Sequence, residues 1–281
     1  MNYLLYNPLS QNGQNVGKIK EIEEQYGGNV EKISVLEDEK YERVLSSVTG
    51  EDEILLVGGD GTLNHFVNRL KGKTLPCKIY FNAKGTGNDF FNDVKEKTVG
   101  DKILINDMIV NLPRVIVNGE EKFFVNGIGF GIDGYCCEVG DRITERGKVA
   151  DYTAIAIKGL LFHYKTPNAT ITVDGVTKTY KKVWLAPTMK GRFYGGGMMV
   201  APKQNRFDEE RTVTSVVMYG SGKLKTLVVF PSIFKGEHVK HSEMVEVRKG
   251  KRVTVEFDRP TALQIDGETV LNVTKYEVIA D

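Results

Sequence analysis

A glycine-rich segment at residues 58–61 (Gly-Gly-Asp-Gly) carries the clearest chemistry in the sequence. It follows an apolar run of strand length, residues 53–57, and precedes apolar residues at helical spacing, at positions 63, 66, 67 and 70. A strand that turns through glycines into a helix presents backbone N–H groups and the positive end of the helix dipole, which together bind polyphosphates. Asp60 lies inside this anion site, where a carboxylate is favourable mainly if a divalent cation separates it from phosphate. The segment predicts a nucleotide and magnesium site; the alternative is a tight strand–helix turn capped by Asp60.

Two further polar loops follow predicted strands. Residues 78–81 lead into residues 82–90 (Asn-Ala-Lys-Gly-Thr-Gly-Asn-Asp-Phe), where Asn88 or Asp89 can cap the next helix. Residues 3–6 lead into a loop at 7–13 that is rich in Asn, Ser and Gly. The carboxyl ends of parallel strands meet at one edge of an α/β sheet, and that edge binds ligands. None of the three loops has the spacing of a Walker A loop or of a dinucleotide-binding fingerprint.

The composition excludes some classes of protein. The chain has 281 residues, with 38 Lys and Arg against 37 Asp and Glu, so no overall basic charge favours nucleic acid. Three cysteines, two of them adjacent, form no disulfide pattern, which favours a reducing cytoplasm. We find neither a basic and apolar leader nor an apolar segment approaching the length of a membrane span. We therefore expect a soluble cytoplasmic protein.

The sequence pattern changes near residue 112. Before it, short strands alternate with helical stretches, which predicts β-α repeats around a parallel sheet. After it, Asn118-Gly119, Asp174-Gly175 and Asp266-Gly267 each separate two strand-like runs, and each is a strong hairpin signal. One helix interrupts the strands, at about residues 149–164. The prediction is an α/β nucleotide-binding domain at 1–112 and an antiparallel β-sandwich domain at 113–281 that holds the substrate. We expect the active site in the cleft between them, and the last strand can return to the first domain.

Six motifs, in the same order over nearly the whole chain, resemble the signature of the diacylglycerol kinase catalytic family, whose relatives include bacterial soluble lipid kinases and sphingosine kinases. They are Asn7-Pro8-x-Ser10, residues 58–64 (Gly-Gly-Asp-Gly-Thr-Leu-Asn), 85–90 (Gly-Thr-Gly-Asn-Asp-Phe), 126–133 (Asn-Gly-Ile-Gly-Phe-Gly-Ile-Asp), 194–202 (Tyr-Gly-Gly-Gly-Met-Met-Val-Ala-Pro) and 264–268 (Gln-Ile-Asp-Gly-Glu). The resemblance implies a fold like that of NAD kinase and diacylglycerol kinase, with an α/β domain and a β-sandwich domain that holds the lipid substrate.

The resemblance also implies roles for individual residues. Those expected to bind ATP are Asn7, Pro8, Ser10, Gly58, Gly59, Asp60, Gly61, Thr62, Leu63, Asn64, Gly85, Thr86, Gly87, Asn88 and Asp89. Glu268 is expected to be the proton acceptor, with Asp266 and Asp60 as further catalytic carboxylates. Asp60 and Asp89 are expected to position Mg²⁺, joined on weaker grounds by Asp133. From the residues alone, an ordinary hairpin turn followed by a solvated glutamate is the alternative for residues 266–268, as a helix cap is for Asp89 and a loop carboxylate for Asp133.

Some residues depart from the family pattern. Asp208 lies where the family carries a second, structural magnesium ion, but Glu209 replaces the usual glycine, and Arg206 and Arg211 are candidates to replace the charge of the cation. His65 replaces a common glutamate and is assigned no catalytic role. His238 and His241 have metal-like spacing but no third ligand nearby, so we expect a solvated surface segment.

The resulting prediction is an ATP-dependent lipid kinase that phosphorylates a lipid hydroxyl at a membrane surface, with diacylglycerol as the default acceptor and phosphatidic acid, a precursor in phospholipid biosynthesis, as the product. A sphingoid base, phosphatidylglycerol and undecaprenol remain open as acceptors, and a homodimer is open too. The alternatives are an NAD kinase-like enzyme and a catalytically silent lipid-binding paralogue. Residues 160–164 are candidates for an acyl-chain groove or for core, and Lys181, Lys182 and Lys190 for contact with anionic headgroups or with solvent.

Overall fold

The computed structural model describes residues 1–8, 15–25, 29–85 and 87–280. The predicted nucleotide ligands Ser10 and Thr86 lie outside the described residues. The chain divides into two compact units, Met1–Leu112 and Pro113–Asp281, which are described separately below.

The first unit is built on a five-stranded sheet in the order β2-β1-β3-β4-β5. The first four strands are parallel, and the short β5 is antiparallel to β4. The strands are β1 (Asn2–Tyr6), β2 (Val30–Ser34), β3 (Glu53–Gly58), β4 (Lys78–Ala83) and β5 (Ile103–Leu104). All residues of the central strand β3 after Glu53 are buried. A strand that is covered on both faces needs apolar residues throughout, which explains the continuous apolar run in its sequence.

Helices follow the parallel strands of this unit, which confirms the predicted β-α repeats. They are α1 (Asn15–Gln25), α2 (Asp38–Ser47), α3 (Asp60–Leu70) and α4 (Asp89–Val94). Leu63, Phe66 and Val67 form the buried face of α3. Because α3 starts directly after β3 and α4 soon after β4, the two glycine loops lie side by side at the carboxyl ends of neighbouring strands.

The second unit contains a connected antiparallel sheet of ten strands, which confirms the predicted antiparallel domain. The strands are β6 (Arg114–Val117), β7 (Glu120–Phe123), β8 (Gly127–Gly131), β9 (Ala169–Val173), β10 (Val176–Tyr180), β11 (Leu185–Met189), β12 (Val213–Met218), β13 (Val245–Gly250), β14 (Arg252–Ile265) and β15 (Glu268–Ile279). The last strand, β15, pairs with β14 and β6 in this same unit.

The long strand β14 joins two branches of this sheet. Its first part, residues 253–257, pairs with β9, and its last part, residues 263–265, pairs with β8. Between them the register with β15 shifts, in the stretch that contains Pro260. Proline cannot donate to a ladder and is found at such irregular positions in strands. The register shift separates the part of β14 that pairs with β9 from the part that pairs with β8.

All three predicted hairpins are present, and each has the same turn geometry. Both central residues have positive φ: 51° and 83° at Asn118-Gly119, 47° and 81° at Asp174-Gly175, and 47° and 92° at Asp266-Gly267. Two consecutive left-handed residues form the tight turn that matches the twist of paired strands, and Asn, Asp and Gly adopt that conformation most readily.

The prediction of a single helix in this unit is wrong, because the described residues contain three α-helices there: α5 (Ile132–Glu145), α6 (Tyr152–Lys158) and α7 (Lys223–Val229). The predicted helix at 149–164 is α6, followed by a π-helical turn, Gly159–His163. Helix α5 was missed because Gly134 and Gly140 lower the helix propensity of its sequence. In the fold both glycines are required by packing, since a Cβ would lie 2.2 Å from the Ala262 carbonyl oxygen or 2.6 Å from the Tyr152 ring.

Within the described ranges, no helix combines the length and the apolar character needed to cross a bilayer.

Candidate active site

The two glycine loops of the first unit are in direct backbone contact. A Cβ on Gly59 would lie 2.9 Å from the Cα of Gly85, and a Cβ on Gly85 would lie 2.5 Å from the Cα of Gly59. A side chain at either position would separate the loops. These two glycines are therefore required by loop packing, in addition to any role in phosphate binding.

The carboxylate of Asp60 joins the first loop to the second. Its Oδ2 accepts a hydrogen bond from the backbone N–H of Asp89 at 2.8 Å, and its Oδ1 accepts one from the N–H of Phe90 at 2.9 Å. These are N–H groups of the first turn of α4, which have no partner within the helix. Asp60 thus caps α4 from another loop. The prediction that Asn88 caps this helix is wrong, because its side chain makes no hydrogen bond to the first turn of α4.

Asn88 instead closes the second loop on itself. Its backbone is left-handed, with a φ of 50°. Its Oδ1 accepts from the N–H of Gly85 at 3.0 Å, and its Nδ2 donates to the carbonyl oxygen of Gly85 at 2.9 Å. Asn is one of the few residues with a side chain that tolerates this conformation. The two bonds therefore hold the backbone of Gly85 against the side chain of Asn88.

The other predicted nucleotide-binding residues of this unit surround these contacts. Gly58 ends β3, and a Cβ there would overlap the Thr62 side chain, at 2.3 Å from its Oγ1. The remaining members lie in the first turns of α3 (Gly61, Thr62, Leu63, Asn64), directly after β1 (Asn7, Pro8) or at the start of α4 (Gly87, Asn88, Asp89). Gly61 has open space at its Cβ position. Most of the predicted residues therefore gather at the carboxyl ends of β1, β3 and β4.

In the second unit, Asp266 holds the turn before Glu268. Its carboxylate accepts three backbone N–H groups, from Val125 at 2.5 Å, Asn126 at 2.8 Å and Gly127 at 2.9 Å. The side-chain Oε1 of Gln264 also accepts from the N–H of Gly267, at 2.9 Å. A carboxylate that accepts three N–H groups stabilises the backbone it contacts. The geometry therefore gives Asp266 a positioning role at this turn.

Glu268 lies on the accessible side of this rigid turn. It is the first residue of β15, its side chain is 51% exposed, and its Oε2 is 3.8 Å from the Nζ of Lys122 on β7. A long ion pair between exposed side chains constrains a carboxylate weakly. Glu268 thus combines a fixed backbone with a carboxylate that solvent or a substrate can reach.

Two buried cations lie beside the loop that Asp266 holds. Arg206 donates to the carbonyl oxygen of Val125 at 3.2 Å and to the Oδ1 of Asn126 at 3.1 Å. Lys190 is also buried, so its interpretation as a surface lysine is wrong, whereas Lys181 and Lys182 are exposed. Burial, with a contribution from the nearby Arg206, lowers the pKa of Lys190 to about 8.

Asp133 is a buried carboxylate at the start of α5. The alternative of a loop carboxylate is wrong, because Asp133 lies in the first turn of that helix. Neither of its oxygens makes a well-formed hydrogen bond to the described part of the chain, and the Tyr194 hydroxyl and Gln264 Nε2 are unpaired there as well. Burial raises the pKa of Asp133 to about 6, partly offset by Tyr194. A buried polar group without a partner marks a place for water, a ligand or strain.

The triple glycine that follows Tyr194 forms a turn. Gly195, Gly196 and Gly197 have φ values of 63°, 83° and 105°. The backbones of Tyr194 and Met198 pair across this turn in both directions at 3.1 Å. Three consecutive left-handed residues are accessible essentially only to glycine. This turn places the Tyr194 hydroxyl near Asp133.

The surroundings of Asp208 do not fit the second magnesium ion that the family pattern implies. Its Oδ2 accepts from the Nζ of Lys249 at 2.8 Å and from the Oγ1 of Thr212 at 2.5 Å, and its Oδ1 accepts from the N–H of Glu210 at 3.3 Å. Lys249 beside it holds the pKa of Asp208 well below its usual range. The charge of Asp208 is therefore balanced by Lys249, and not, as expected, by Arg206 or Arg211.

Two histidines complete the comparison with the expected sites. His238 is fully buried, so the prediction of a solvated segment is wrong for this residue. One of its ring nitrogens is 3.0 Å from the Val200 carbonyl oxygen, and burial lowers the pKa of His238 to about 4. His65 packs edge to face against Tyr41, with ring centroids 5.8 Å apart. His65 thus has a packing role on α3.

Comparisons with known proteins agree with the fold of the two units. The diacylglycerol kinase catalytic domain matches residues 2–111, and the YegS C-terminal NAD kinase beta sandwich-like domain matches residues 126–278. A diacylglycerol kinase of Mycobacterium tuberculosis is 27% identical over an alignment of 265 residues, which covers 90% of this chain and 84% of that protein.

Solved structures show the same fold. A crystal structure from Bacillus anthracis str. Sterne has a TM-score of 0.70 at 19% identity, and the match covers 99% of this chain and 92% of that one. A diacylglycerol kinase structure from the same strain has a TM-score of 0.60 at 18% identity and covers 99% and 93%. The chain belongs to the diacylglycerol kinase catalytic family.

Proposed function

We propose that this protein is an ATP-dependent lipid kinase that phosphorylates a lipid hydroxyl, with diacylglycerol as the acceptor and phosphatidic acid as the product. The observation that carries the proposal is the pair of glycine loops joined by Asp60, since it builds one preformed, amide-rich edge from two neighbouring strands. Phosphoryl transfer depends mainly on positioning and charge stabilisation, which such an edge supplies.

The first unit is proposed to bind the triphosphate. The start of α3 offers backbone N–H groups and the positive end of the helix dipole to phosphate oxygens. Magnesium sites in kinases commonly use one or two carboxylates together with the substrate phosphates. Asp60 and the buried Asp89 fit that modest requirement, and the described residues contain no larger cluster of metal-ligating side chains. Asp60 and Asp89 would hold Mg²⁺, which neutralises phosphate charge when bound.

Glu268 is proposed to be the base. The acceptor hydroxyl gives its proton to the Glu268 carboxylate, and its oxygen forms a bond to the γ-phosphorus of ATP. The bond from that phosphorus to the β,γ-bridging oxygen breaks, and ADP leaves. Asp266 and Gln264 fix the backbone on both sides of this turn, so the carboxylate is presented from a rigid support.

The test is an acceptor assay with labelled ATP and identification of products by mass spectrometry. Diacylglycerol in mixed micelles, a panel of other lipid alcohols and NAD serve as parallel acceptors. The proposal predicts labelled phosphatidic acid and no labelled NADP. Labelling of NAD alone would establish the NAD kinase-like alternative. Lipid binding without any transfer would establish a catalytically silent paralogue, and labelling of another lipid would replace diacylglycerol as the substrate.

A further inference from the structure

Large apolar side chains are exposed on two neighbouring segments of the second unit. The exposed fractions are 71% for Phe162, 76% for Leu224, 78% for Val228 and 52% for Phe234. Phe162 lies in the π-helical turn after α6, and the other three lie on α7 and on the 3₁₀ turn Phe230–Lys235 that continues it. Single exposed apolar residues are normal on a protein surface, but a group of them marks an interaction site. These four residues are called the apolar patch.

The patch does not result from incomplete packing of these segments, because each also has a fully formed buried side. Leu160 and Tyr164 beside Phe162 belong to the core, and so do Phe230 and Ile233 in the turn that carries Phe234. On α7, Val229 is buried in the same core, while Leu224 and Val228 share the opposite, exposed side at i and i+4. The candidate groove residues 160–164 therefore divide into core and surface.

A hydrogen bond holds the two segments together. The Nζ of Lys223 donates to the carbonyl oxygen of Leu161 at 2.9 Å, so the residue before Leu224 contacts the residue before Phe162. The start of α7 is fixed from inside as well, because the Trp184 indole donates to the Ser221 carbonyl oxygen at 3.0 Å. The patch is thus presented by a supported surface.

The charges around the patch are mainly positive. Residues 151–165 and 222–243 contain six lysines, at 158, 165, 223, 225, 235 and 240, against three acidic residues, Asp151, Glu237 and Glu243. Glu237 is paired with Lys240 at 2.9 Å. Asp151 is used at the start of α6, where it accepts from the N–H of Ala154 at 3.0 Å. Among the lysines, Lys225 is paired with Glu243 at 2.9 Å. Apolar side chains surrounded by lysine are typical of surfaces that insert into the headgroup region of a bilayer.

We infer that the apolar patch and its surrounding lysines dock on an anionic lipid bilayer, and that this contact brings the enzyme to membrane-embedded acceptor. The role of this contact in catalysis rests on the proposed lipid kinase function, whereas the docking surface itself is inferred from exposed side chains and charge. Exposed lysines are attracted to anionic headgroups. Transfer of Phe and Leu side chains from water to the boundary between headgroups and acyl chains is favourable in free energy.

A second copy of the chain fits the same surface less well. A symmetric dimer through the patch places each set of lysines opposite an identical set. Like charges brought together in this way oppose association, whereas an anionic membrane neutralises them. The charge pattern therefore favours a bilayer as the occupant.

The test is sedimentation of the full chain with vesicles of phosphatidylcholine alone or mixed with phosphatidylglycerol. Wild-type protein is expected to bind the anionic vesicles more tightly, and high salt is expected to weaken that binding. The double substitution Phe162→Ser with Leu224→Ser is expected to weaken it by about tenfold or more, from the loss of two inserted side chains. Lys158→Glu with Lys235→Glu is expected to remove the preference for anionic vesicles.

Matched controls separate docking from general surface apolarity. Val176→Ser with Leu271→Ser removes two exposed apolar side chains from β10 and β15 and is expected to leave vesicle binding unchanged. Circular dichroism and thermal unfolding check that all variants fold. Light scattering after size exclusion measures their oligomeric state.

A kinase assay distinguishes failure of this inference from failure of the proposed function. The patch variants are expected to lose activity on vesicle-embedded diacylglycerol but to retain it on a short-chain, water-dispersed one. Equal vesicle binding by wild type and patch variants overturns the docking surface, whatever the activity. A dimer that the patch substitutions dissociate, with vesicle binding unaltered, overturns it in favour of a second copy. Patch-dependent vesicle binding without transfer to any lipid supports the surface and contradicts the kinase proposal.

Discussion

The glycine-loop edge of the first unit and the Asp266 turn of the second unit use motif carboxylates in the same way. Asp60 accepts two backbone N–H groups from the second glycine loop, and Asp266 accepts three from residues 125–127. Asp133, although also part of a motif, is buried without a well-formed hydrogen bond to the described residues. The comparison separates carboxylates that hold loops in place from one that costs stability where it is. Removing a carboxylate of the first kind should destabilise the protein, whereas neutralising Asp133 should stabilise it.

The largest expected effect is that of Asp266→Ala. It leaves three N–H groups without their acceptor, and hydrogen bonds to a charged group contribute about 1.5–3 kcal/mol each, so the loss of unfolding free energy should be about 4.5 kcal/mol or more. Urea unfolding measures it. Asp266→Asn keeps one acceptor oxygen, so its unfolding free energy should lie between those of the wild type and Asp266→Ala. Wild-type stability in the Ala variant would show that these contacts are not made in solution.

Asp60→Ala should lower the unfolding free energy by less, about 3 kcal/mol or more, because it removes two such bonds. The same variant should also lose nucleotide binding, since the second glycine loop loses its attachment to the first. Urea unfolding and titration with Mg·ATP measure the two effects. Loss of nucleotide binding without any loss of stability would assign Asp60 to the metal alone.

Asp133→Asn should stabilise the protein at neutral pH. The pKa of Asp133 is raised from 3.8 to about 6, so the folded state binds its proton more tightly than the unfolded state does. Its contribution to stability is therefore greatest in acid and is lost as the pH rises from about 4 to about 6, a difference of about 3 kcal/mol at most. Thermal unfolding across this range should show a gain for Asp133→Asn at neutral pH and none in acid. Asp141→Asn, on the exposed side of α5, is the control, and a gain independent of pH would contradict this account.

The smallest effect is expected at Asp208. Lys249→Met should cost about 0.5–1 kcal/mol, as for other partly exposed ion pairs. The variant should then gain thermal stability from added Mg²⁺ or Ca²⁺, because its carboxylate has lost its cation. Wild-type unfolding should show no such gain from this site. Destabilisation of the wild-type protein by chelators, with no such effect on Asp208→Asn, would restore Asp208 as a metal ligand. A Lys249→Met variant that metals do not stabilise would contradict the replacement of a metal ion by Lys249.

The sequence predicts best the features that a few adjacent residues determine. The Asn118-Gly119 and Asp174-Gly175 turns are examples, because left-handed residues in pairs leave little alternative to a tight hairpin. The alternation of strands and helices in the first unit and the antiparallel second unit followed from local periodicity, and the family resemblance agreed with both.

Contacts between distant residues could not be predicted from these patterns. The bond from Asp89 to Asp60 spans 29 residues, and nothing near Asp60 indicates that its partners are the N–H groups of α4. Lys249, on β13, is also distant from Asp208 in the sequence, and nothing in the loop around Asp208 indicates that the two side chains pair. Helix α5 was missed for a related reason: Gly134 and Gly140 weaken its helical signal, and only the packed fold shows why they are there.

The central claim is that Glu268 takes the proton of the acceptor hydroxyl. Glu268→Gln keeps the size of the side chain and removes its basicity, and Glu120→Gln on neighbouring β7 removes an exposed carboxylate elsewhere on the sheet. The direct measurement is turnover of labelled ATP with diacylglycerol, beside Mg·ATP affinity, for wild type and both variants. The account predicts a loss of turnover of at least about a hundredfold for Glu268→Gln alone, with nucleotide affinity unchanged. Undiminished turnover in that variant would contradict it.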